Sequence, residues 1–295
     1  MKKYNPEELK PAKLHEIILG CISPRPIAFA STIDKNNIPN LAPFSFFNAF
    51  GINPTTLIFS PARRGTDNTT KDTYHNLKDI PEVVINVVTY DLVQQVNVSS
   101  NNFPADTNEF IKSGLTPIDS HHIKPYRVKE SPVQFECKVR QIIETGNSGG
   151  AGNLIVSEII CIHLNTEILT KDELIDPNKL KLVGRMGADH YCKAFGSAIF
   201  DVPKPGMEAG IGIDNLPEKI KNSNYLKGFD LGILGNEINF PNKKELKDIK
   251  THPFYIESLS SANREQFICK KASELLLNHK IREGFALLTI YTNET

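Results

Sequence analysis

Residues 133–140 read Val-Gln-Phe-Glu-Cys-Lys-Val-Arg, with apolar side chains at every second position. This period of two is typical of a β-strand with one buried and one wetted face. A glycine-rich stretch, residues 146–152, separates it from a second apolar run at 154–164. Two long runs joined by glycines predict a β-hairpin with a flexible tip.

Further strands are predicted on the N-terminal side of this hairpin. Apolar and β-branched residues fill 27–33, 38–45, 55–60 and 83–89, and the turn sequence Asp-Lys-Asn-Asn at 34–37 separates the first two runs. Strands that come in runs, instead of alternating strictly with helices, favour an antiparallel barrel over a doubly wound parallel sheet. The sequence therefore predicts a mainly β fold.

Two helices are predicted as insertions between these strands. One covers 67–79, with Asp67 or Thr69 as its N-cap, and the other covers 91–99. Both are short and lie between predicted strands. We therefore expect a β-barrel with inserted helices.

The composition changes after residue 195. An apolar stripe predicts a helix over 261–279, and a last apolar run predicts a strand over 285–291. We expect a barrel domain over 1–195 and a C-terminal α/β extension over 196–295. This extension is expected to pack on the barrel or on a partner subunit.

Bulk composition excludes several classes of protein. The 295 residues include 34 basic and 34 acidic side chains, so the formal net charge is zero. A nucleic-acid-binding protein would normally carry a basic excess. No apolar run approaches the roughly 18 residues of a membrane helix, and the first ten residues are polar. We expect a cytoplasmic protein without a nucleic-acid or membrane partner.

The five cysteines are scattered and include no CxxC pair, so we expect neither a disulfide framework nor a zinc site. Most are expected to be packed core side chains, although Cys192 is a candidate reactive thiol. The His121-His122 pair has no acidic or thiol ligand at zinc spacing. The sequence therefore predicts no metal centre.

Common catalytic and nucleotide-binding motifs are missing. The glycine loop at 146–152 lacks the Gly-Lys-Ser/Thr end of a phosphate-binding loop, and Gly210 and Gly212 form no GxGxxG. There is no HExxH, and no GxSxG elbow, because the Gly-Asn-Ser-Gly-Gly of 146–150 lies in the predicted hairpin loop and is followed by a strand. Hydrolase chemistry and a Rossmann dinucleotide site are therefore not indicated.

Two segments are candidates for ligand binding. Residues 40–49 combine aromatics with small polar residues, which suits a flat heterocycle but is equally typical of an aromatic core strand. Lys71, Asp72 and Thr73 open a predicted helix, and such a start suits a phosphate or is simply an ordinary capped helix. The residues alone leave both alternatives open, and for 40–49 they favour the core strand.

Several motifs, in order, resemble the flavin reductase-like, FMN-binding split-barrel family. They are Pro-Arg-Pro-Ile-Ala-Phe-Ala-Ser-Thr at 24–32, Asn-Leu-Ala-Pro-Phe-Ser-Phe-Phe-Asn-Ala at 40–49, Lys-Asp-Thr at 71–73, Val-Ile-Asn-Val-Val at 84–88, Glu-Ser-Pro-Val-Gln-Phe-Glu-Cys at 130–137 and Val-Gly-Arg-Met-Gly at 183–187. Within the family, the flavoredoxin and nitrilotriacetate-monooxygenase reductase-component branch is the most similar. The resemblance implies a Greek-key split barrel and a homodimer.

The resemblance also implies site residues. Ser45, Phe46, Phe47 and Asn48 would contact the flavin ring edge, and Lys71, Asp72 and Thr73 the phosphate. Additional FMN contacts are implied for Ser31, Thr32, Ser60, Asn86 and Arg185.

His190 and Tyr191 are weaker catalytic candidates. Other branches carry a histidine just after the tyrosine, where this chain has Cys192. The implied function is an NAD(P)H-dependent flavin reductase, or the reductase component of a two-component monooxygenase, with FMN as cofactor. The alternatives are a non-catalytic FMN electron carrier of flavoredoxin type and an unrelated small-ligand binder.

Overall fold

The computed structural model describes residues 1–294 of the chain. The chain divides into two compact units, Met1–Phe200 and Asp201–Thr295. The boundary expected from sequence, after residue 195, lies a few residues before this division. Within the described residues, no helix is long and apolar enough to cross a membrane.

The first unit is built on β-strands. Their bounds are β1 Ala28–Ile33, β2 Pro39–Phe44, β3 Phe47–Ile52, β4 Thr55–Phe59, β5 Glu82–Asn86, β6 Pro117–Ile118, β7 Arg127–Val128, β8 Val133–Glu144, β9 Asn153–Leu164, β10 Val183–Arg185 and β11 Tyr191–Lys193. Seven of them form one sheet in the order β2-β1-β5-β8-β9-β4-β3, and every pairing in it is antiparallel. The antiparallel, barrel-type sheet predicted from sequence is confirmed.

The predicted hairpin forms the longest pairing of the sheet. Strands β8 and β9 run in register from Val133 opposite Leu164 to Glu144 opposite Asn153, with two bulges. The Thr145 N–H donates to the Gly152 carbonyl at 2.9 Å and closes the glycine loop. Alternation along the chain predicted strand β8, but the face expected to be wetted is buried at Gln134 and Glu136, because the segment of His121 and His122 covers Glu136.

Helices fill the connections between strands. They are α1 Pro11–Cys21, α2 Asp72–Asp79, α3 Val93–Ser99, α4 Glu109–Ser113 and α5 Pro177–Leu180. Helix α2 is shorter than predicted, and its N-cap is Lys71 instead of Asp67 or Thr69. The Asp67 carboxylate accepts from the Thr69 N–H at 2.9 Å, which makes a turn before the helix.

Apolar side chains fill both sides of β1. Phe29 and Leu41 pack with Phe110 beneath α3 and α4, whereas Phe59 and Ile85 belong to a second cluster within the sheet. All six residues of β1 are buried, as expected for a strand covered on both faces. Strand β1 therefore lies between the two apolar clusters, in the core of the first unit.

The regular secondary structure in the described residues of the second unit is helical. Its helices are α6 Glu218–Lys221, α7 Gly228–Gly235, α8 Lys243–Lys250, α9 Pro253–Leu259, α10 Arg264–Leu277 and α11 Ile281–Asn293. The helix predicted over 261–279 is confirmed as α10. The strand predicted over 285–291 is wrong, because that segment belongs to α11 and is buried from Gly284 to Ile290. An apolar run of this length does not distinguish a buried strand from a buried helix.

Candidate functional site

A cavity of about 240 Å³ opens where α2 begins. Lys71, Asp72 and Thr73 line it together with Arg64 from the preceding loop. No side chain caps α2 at its N-terminus. The N–H groups at the positive end of the helix dipole are therefore not bonded to a capping side chain. This side of the cavity combines two cations with helix N–H groups, which favours an anion.

The opposite wall comes from the corner between β2 and β3. Ser45 and Phe46 lie at this corner, and Ser60 follows the end of β4. The Ser60 N–H donates to the Phe46 carbonyl at 2.9 Å and so fixes the corner against β4. Phe46 is 41% exposed, which leaves part of its ring open to a ligand.

A third wall follows α3. The cavity is lined here by Ser99, Ser100, Asn101, Asn102 and Phe103. The Arg64 guanidinium donates to the Asn102 Oδ1 at 3.0 Å and to the Thr70 carbonyl at 2.7 Å, so it ties this wall to the α2 side. Sequence reasoning left these residues out, although the run Ser-Ser-Asn-Asn after a helix is a polar signal that could have suggested them.

Lys71 is the half-buried cation of the cavity. Burial lowers the pKa of its ammonium from the usual value, and the nearby Arg64 guanidinium lowers it further. Among the described residues its Nζ has no hydrogen-bond or ion-pair partner. A half-buried ammonium beside a second cation is stabilised when an anion binds between them.

Glu109 is a buried carboxylate on the same cavity. One of its oxygens accepts from the Leu41 N–H at 3.0 Å and from the Asn40 amide at 3.3 Å. Burial raises its pKa, and the neighbouring Asp72 carboxylate raises it further. The Asn40 Oδ1 in turn accepts from the Thr73 hydroxyl at 2.9 Å. Glu109 therefore orients Thr73 through Asn40, a link that no local sequence signal reveals.

Arg25 is a buried residue next to the corner between β2 and β3. Its side chain is 5% exposed and donates to the carbonyls of Leu19, Ile22 and Met186. A longer contact of 3.4 Å reaches the Ser45 hydroxyl. One guanidinium thus ties the end of α1, the corner and the loop after β10 together.

The glycine loop supports the cavity indirectly. The Gly150 N–H donates to the Arg63 carbonyl at 3.1 Å, and the Asn147 carbonyl accepts from the Asn68 amide. A Cβ on Gly149 would approach the Arg64 carbonyl to 3.1 Å, so the loop passes unusually close to the Arg64 backbone. The predicted hairpin tip therefore holds the loop that carries Arg64.

The other predicted flavin contacts do not line this cavity. Ser31 is fully buried, and its hydroxyl has no partner among the described residues. Thr32 accepts from Asn76 behind the cavity wall. Both ends of the Asn86 amide are occupied by the Phe29 carbonyl and the Val128 N–H, so its role here is structural.

Phe47 and Asn48 lie just beyond the lining residues, at the start of β3. Phe47 packs partly against the sheet core, and Asn48 is exposed. The Asn48 side chain accepts from the Ala49 N–H at 2.8 Å. Neither side chain lines the cavity.

Arg185, His190 and Tyr191 line a second cavity of about 490 Å³. The Arg185 guanidinium lies 4.7 Å from the centre of the Tyr191 ring, and it donates to the His190 carbonyl at 3.1 Å. Cys192 lines the same cavity and is partly buried. The structure therefore separates these three candidates from the group around Lys71.

The first cavity combines an anion-binding side with a partly exposed aromatic ring. Its anion-binding side offers Lys71, Arg64 and Thr73, and its other wall offers the Ser45 hydroxyl and an exposed aromatic face at Phe46. Most of its lining residues are polar or charged, and the apolar ones include Phe44, Phe46 and Phe103.

The antiparallel sheet with helices in its connections, and a cavity at one strand corner, define a split-barrel protein. The chain matches the flavin reductase like domain over residues 19–179 and belongs to that family. This match ends before the second unit begins.

Known proteins resemble the first unit. An uncharacterized protein of Aquifex aeolicus is 38% identical over 183 residues, which cover 62% of this chain and 91% of that protein. The crystal structure of nitrilotriacetate monooxygenase component B from Bacillus cereus superposes with a TM-score of 0.64 and 28% identity, over 68% of this chain and 98% of that one. Flavoredoxin of Desulfovibrio vulgaris shares the fold, with a TM-score of 0.53 and 20% identity over 68% and 97% of the two chains. The predicted family is confirmed.

Proposed function

We propose that the chain binds FMN in the first cavity and catalyses its reduction by NAD(P)H. The observation that carries this proposal is the half-buried Lys71 ammonium, which lies beside Arg64 at the start of α2. Membership of the flavin reductase like family supports a flavin as the ligand.

Each wall has a proposed role in binding. Lys71 and Arg64 neutralise the phosphate, and the Thr73 hydroxyl and the first N–H groups of α2 donate to its oxygens. Ser45 and Ser60 offer hydroxyls to the polar parts of the flavin, and the Phe46 ring covers an apolar part. Ser31, Thr32, Phe47, Asn48 and Asn86 support these walls from neighbouring strands.

Bound FMN would supply the redox chemistry by accepting hydride from NAD(P)H and passing electrons onward. The chain's own residues would bind, orient and shield the cofactor. No acid–base group is required for hydride transfer itself. Arg185, His190 and Tyr191, in the second cavity, are our candidates for contacts to the nicotinamide donor.

We propose that the chain is a homodimer. Strand β3 lies at one edge of the seven-stranded sheet, and it exposes Phe50 at 65% and Ile52 at 84%. An unpaired edge with large apolar side chains is normally covered. The first cavity opens beside this strand at Phe46, so a partner subunit would also enclose the flavin.

The proposal also includes a cellular compartment and an electron acceptor. All five cysteines are free, which agrees with a reducing compartment such as the cytoplasm. The electron acceptor would be a monooxygenase or another redox partner. This part is supported by the similarity to component B of nitrilotriacetate monooxygenase.

An electron carrier of flavoredoxin type is the second candidate. Cys192 directly follows Tyr191, where other branches of the family carry a histidine. This difference favours a protein that receives electrons without a nicotinamide.

Anaerobic mixing of the FMN-loaded protein with NADH or NADPH separates the two candidates. Bleaching of the flavin's visible absorption within seconds is expected for the reductase. An FMN-loaded protein that neither donor bleaches would be an electron carrier. Failure to take up FMN at all would contradict both.

A further inference from the structure

A second cluster of reactive side chains lies on the β8–β9 hairpin. Glu136 of β8 is directly opposite Cys161 of β9, and His163 follows two residues later on the same strand. Residues opposite each other, or two apart on one strand, point to the same face of a sheet. Strand pairing therefore gathers three metal-ligating residues that are far apart in sequence.

The donor atoms of Glu136, Cys161 and His163 lie close together. The His163 Nε2 lies 2.6 Å from the Glu136 Oε1 and 3.5 Å from the Cys161 Sγ, and the three ligand atoms all lie within 4.8 Å of one another. A catalytic triad would use the two different nitrogens of the imidazole for the acid and the nucleophile. Here the Nε2 of His163 faces both the Glu136 carboxylate and the Cys161 thiol. Three donor atoms that face one another in this way are typical of a metal site.

One of these distances already has the value expected around a tetrahedral ion. With bonds of about 2.0 Å to nitrogen and about 2.3 Å to sulfur, tetrahedral angles place these donors about 3.5 Å apart. The Cys161–His163 distance has this value. The Glu136–His163 distance would lengthen by about 0.7 Å as an ion replaces the shared proton. The His163 side chain is 15% exposed, so its ring has room for that shift.

The carboxylate is held in place by the chain itself. Glu136 is fully buried, and its two oxygens accept from the backbone N–H groups of His121 and His122 at 2.7 and 2.8 Å. Such outer hydrogen bonds orient a metal ligand before the ion arrives. The His121 ring stands edge-on to the His163 ring, with centroids 4.8 Å apart.

We propose that Glu136, Cys161 and His163 bind a divalent transition-metal ion of the Zn²⁺ class, with water as the fourth ligand. A donor set of nitrogen, sulfur and one carboxylate oxygen suits Zn²⁺ or Co²⁺, whereas Mg²⁺ and Ca²⁺ prefer oxygen alone. None of the three residues lines the cavity around Lys71, so the inference is independent of the proposed flavin chemistry. The sequence predicted no metal centre because its ligands meet only through strand register.

The test titrates the chelator-treated full-length chain with Co²⁺ and follows the thiolate-to-cobalt absorption as a difference spectrum. One equivalent is expected to bind, and Zn²⁺ is expected to displace it. Cys161→Ser and His163→Gln should each remove the thiolate band or weaken binding at least about tenfold. The control Cys21→Ser, which alters an exposed cysteine, should bind as the wild type does.

Circular dichroism of the metal-free variants checks that each is folded. No saturable Co²⁺ binding by the wild type would overturn the proposal. Unchanged binding in either folded variant, or loss of binding in Cys21→Ser, would overturn it as well.

Discussion

Lys71 is one of the two cations proposed to bind the phosphate in the first cavity. Replacing it with alanine is expected to weaken FMN binding by about 1–3 kcal/mol, because a charge-assisted hydrogen bond is lost. Quenching of FMN fluorescence measures the dissociation constant. Lys78→Ala in the helix that Lys71 caps is the control, since the exposed Lys78 does not line the cavity and contacts Glu144 and the Tyr74 ring. Equal affinities of the Lys71→Ala variant and the wild type would remove Lys71 from the site.

Glu109 gives the same cavity a pH dependence. Its pKa is raised by burial, so deprotonation at higher pH adds a negative charge near the bound phosphate. FMN affinity of the wild type is therefore expected to fall, relative to Glu109→Gln, as the pH rises through that pKa. The amide of Gln still accepts the Leu41 N–H bond. Dissociation constants of both proteins between pH 5 and 8 test this, and parallel profiles would contradict it.

Local sequence predicted some of these residues and missed others for a physical reason. Lys71 and Thr73 sit at a helix start, and that signal lies in adjacent residues. Glu109 reaches the cavity only because α4 packs against β2, where its carboxylate meets the Leu41 N–H. Such a contact depends on tertiary packing, which no short pattern encodes.

Elements with a clear period were predicted well. The alternating apolar residues of β8 predicted that strand and its hairpin with β9, whereas the register of the two strands was not predicted. Helix α11 is buried on all sides from Gly284 to Ile290, and its apolar run therefore has no helical period to detect. Strand β3 was missed because its residues are mostly exposed.

Helices α8 and α11 are joined by an ion pair that predicts acid sensitivity. The Arg282 guanidinium donates to both oxygens of Glu245, at 2.8 Å each, and lowers the pKa of that carboxyl to about 2. Because the folded-state pKa is below the ordinary value of 4.5, the pair stabilises the fold above about pH 4.5. That contribution is lost progressively as the pH falls toward 2.

Arg282→Gln is therefore expected to lower the melting temperature near pH 6 and to flatten its fall between pH 5 and 3. Thermal unfolding followed by circular dichroism measures both effects. Lys280→Gln is the control, because its pair with Glu283 is exposed and long at 4.0 Å. An Arg282→Gln curve parallel to that of the wild type would show that the pair contributes no acid sensitivity.

At the scale of the whole molecule, the edge strand β3 is proposed to hold two subunits together. Ile52→Lys places a charge on the most exposed apolar side chain of this strand and should shift the protein toward its monomer mass of 32.9 kDa. Light scattering after size exclusion measures the mass. Leu174→Lys is the control, because it changes an equally apolar exposed residue outside the sheet. A wild-type protein that is already monomeric would contradict the proposed dimer.

The central claim is that FMN binds with its phosphate in the first cavity. A crystal structure of the full-length chain with FMN tests this most directly. We expect the phosphate between Lys71 and Arg64 at the start of α2, with the ring extending along Ser45 and Phe46. FMN bound instead in the cavity of Arg185 and Tyr191, or absent from a crystal of a protein saturated with it in solution, would contradict the account.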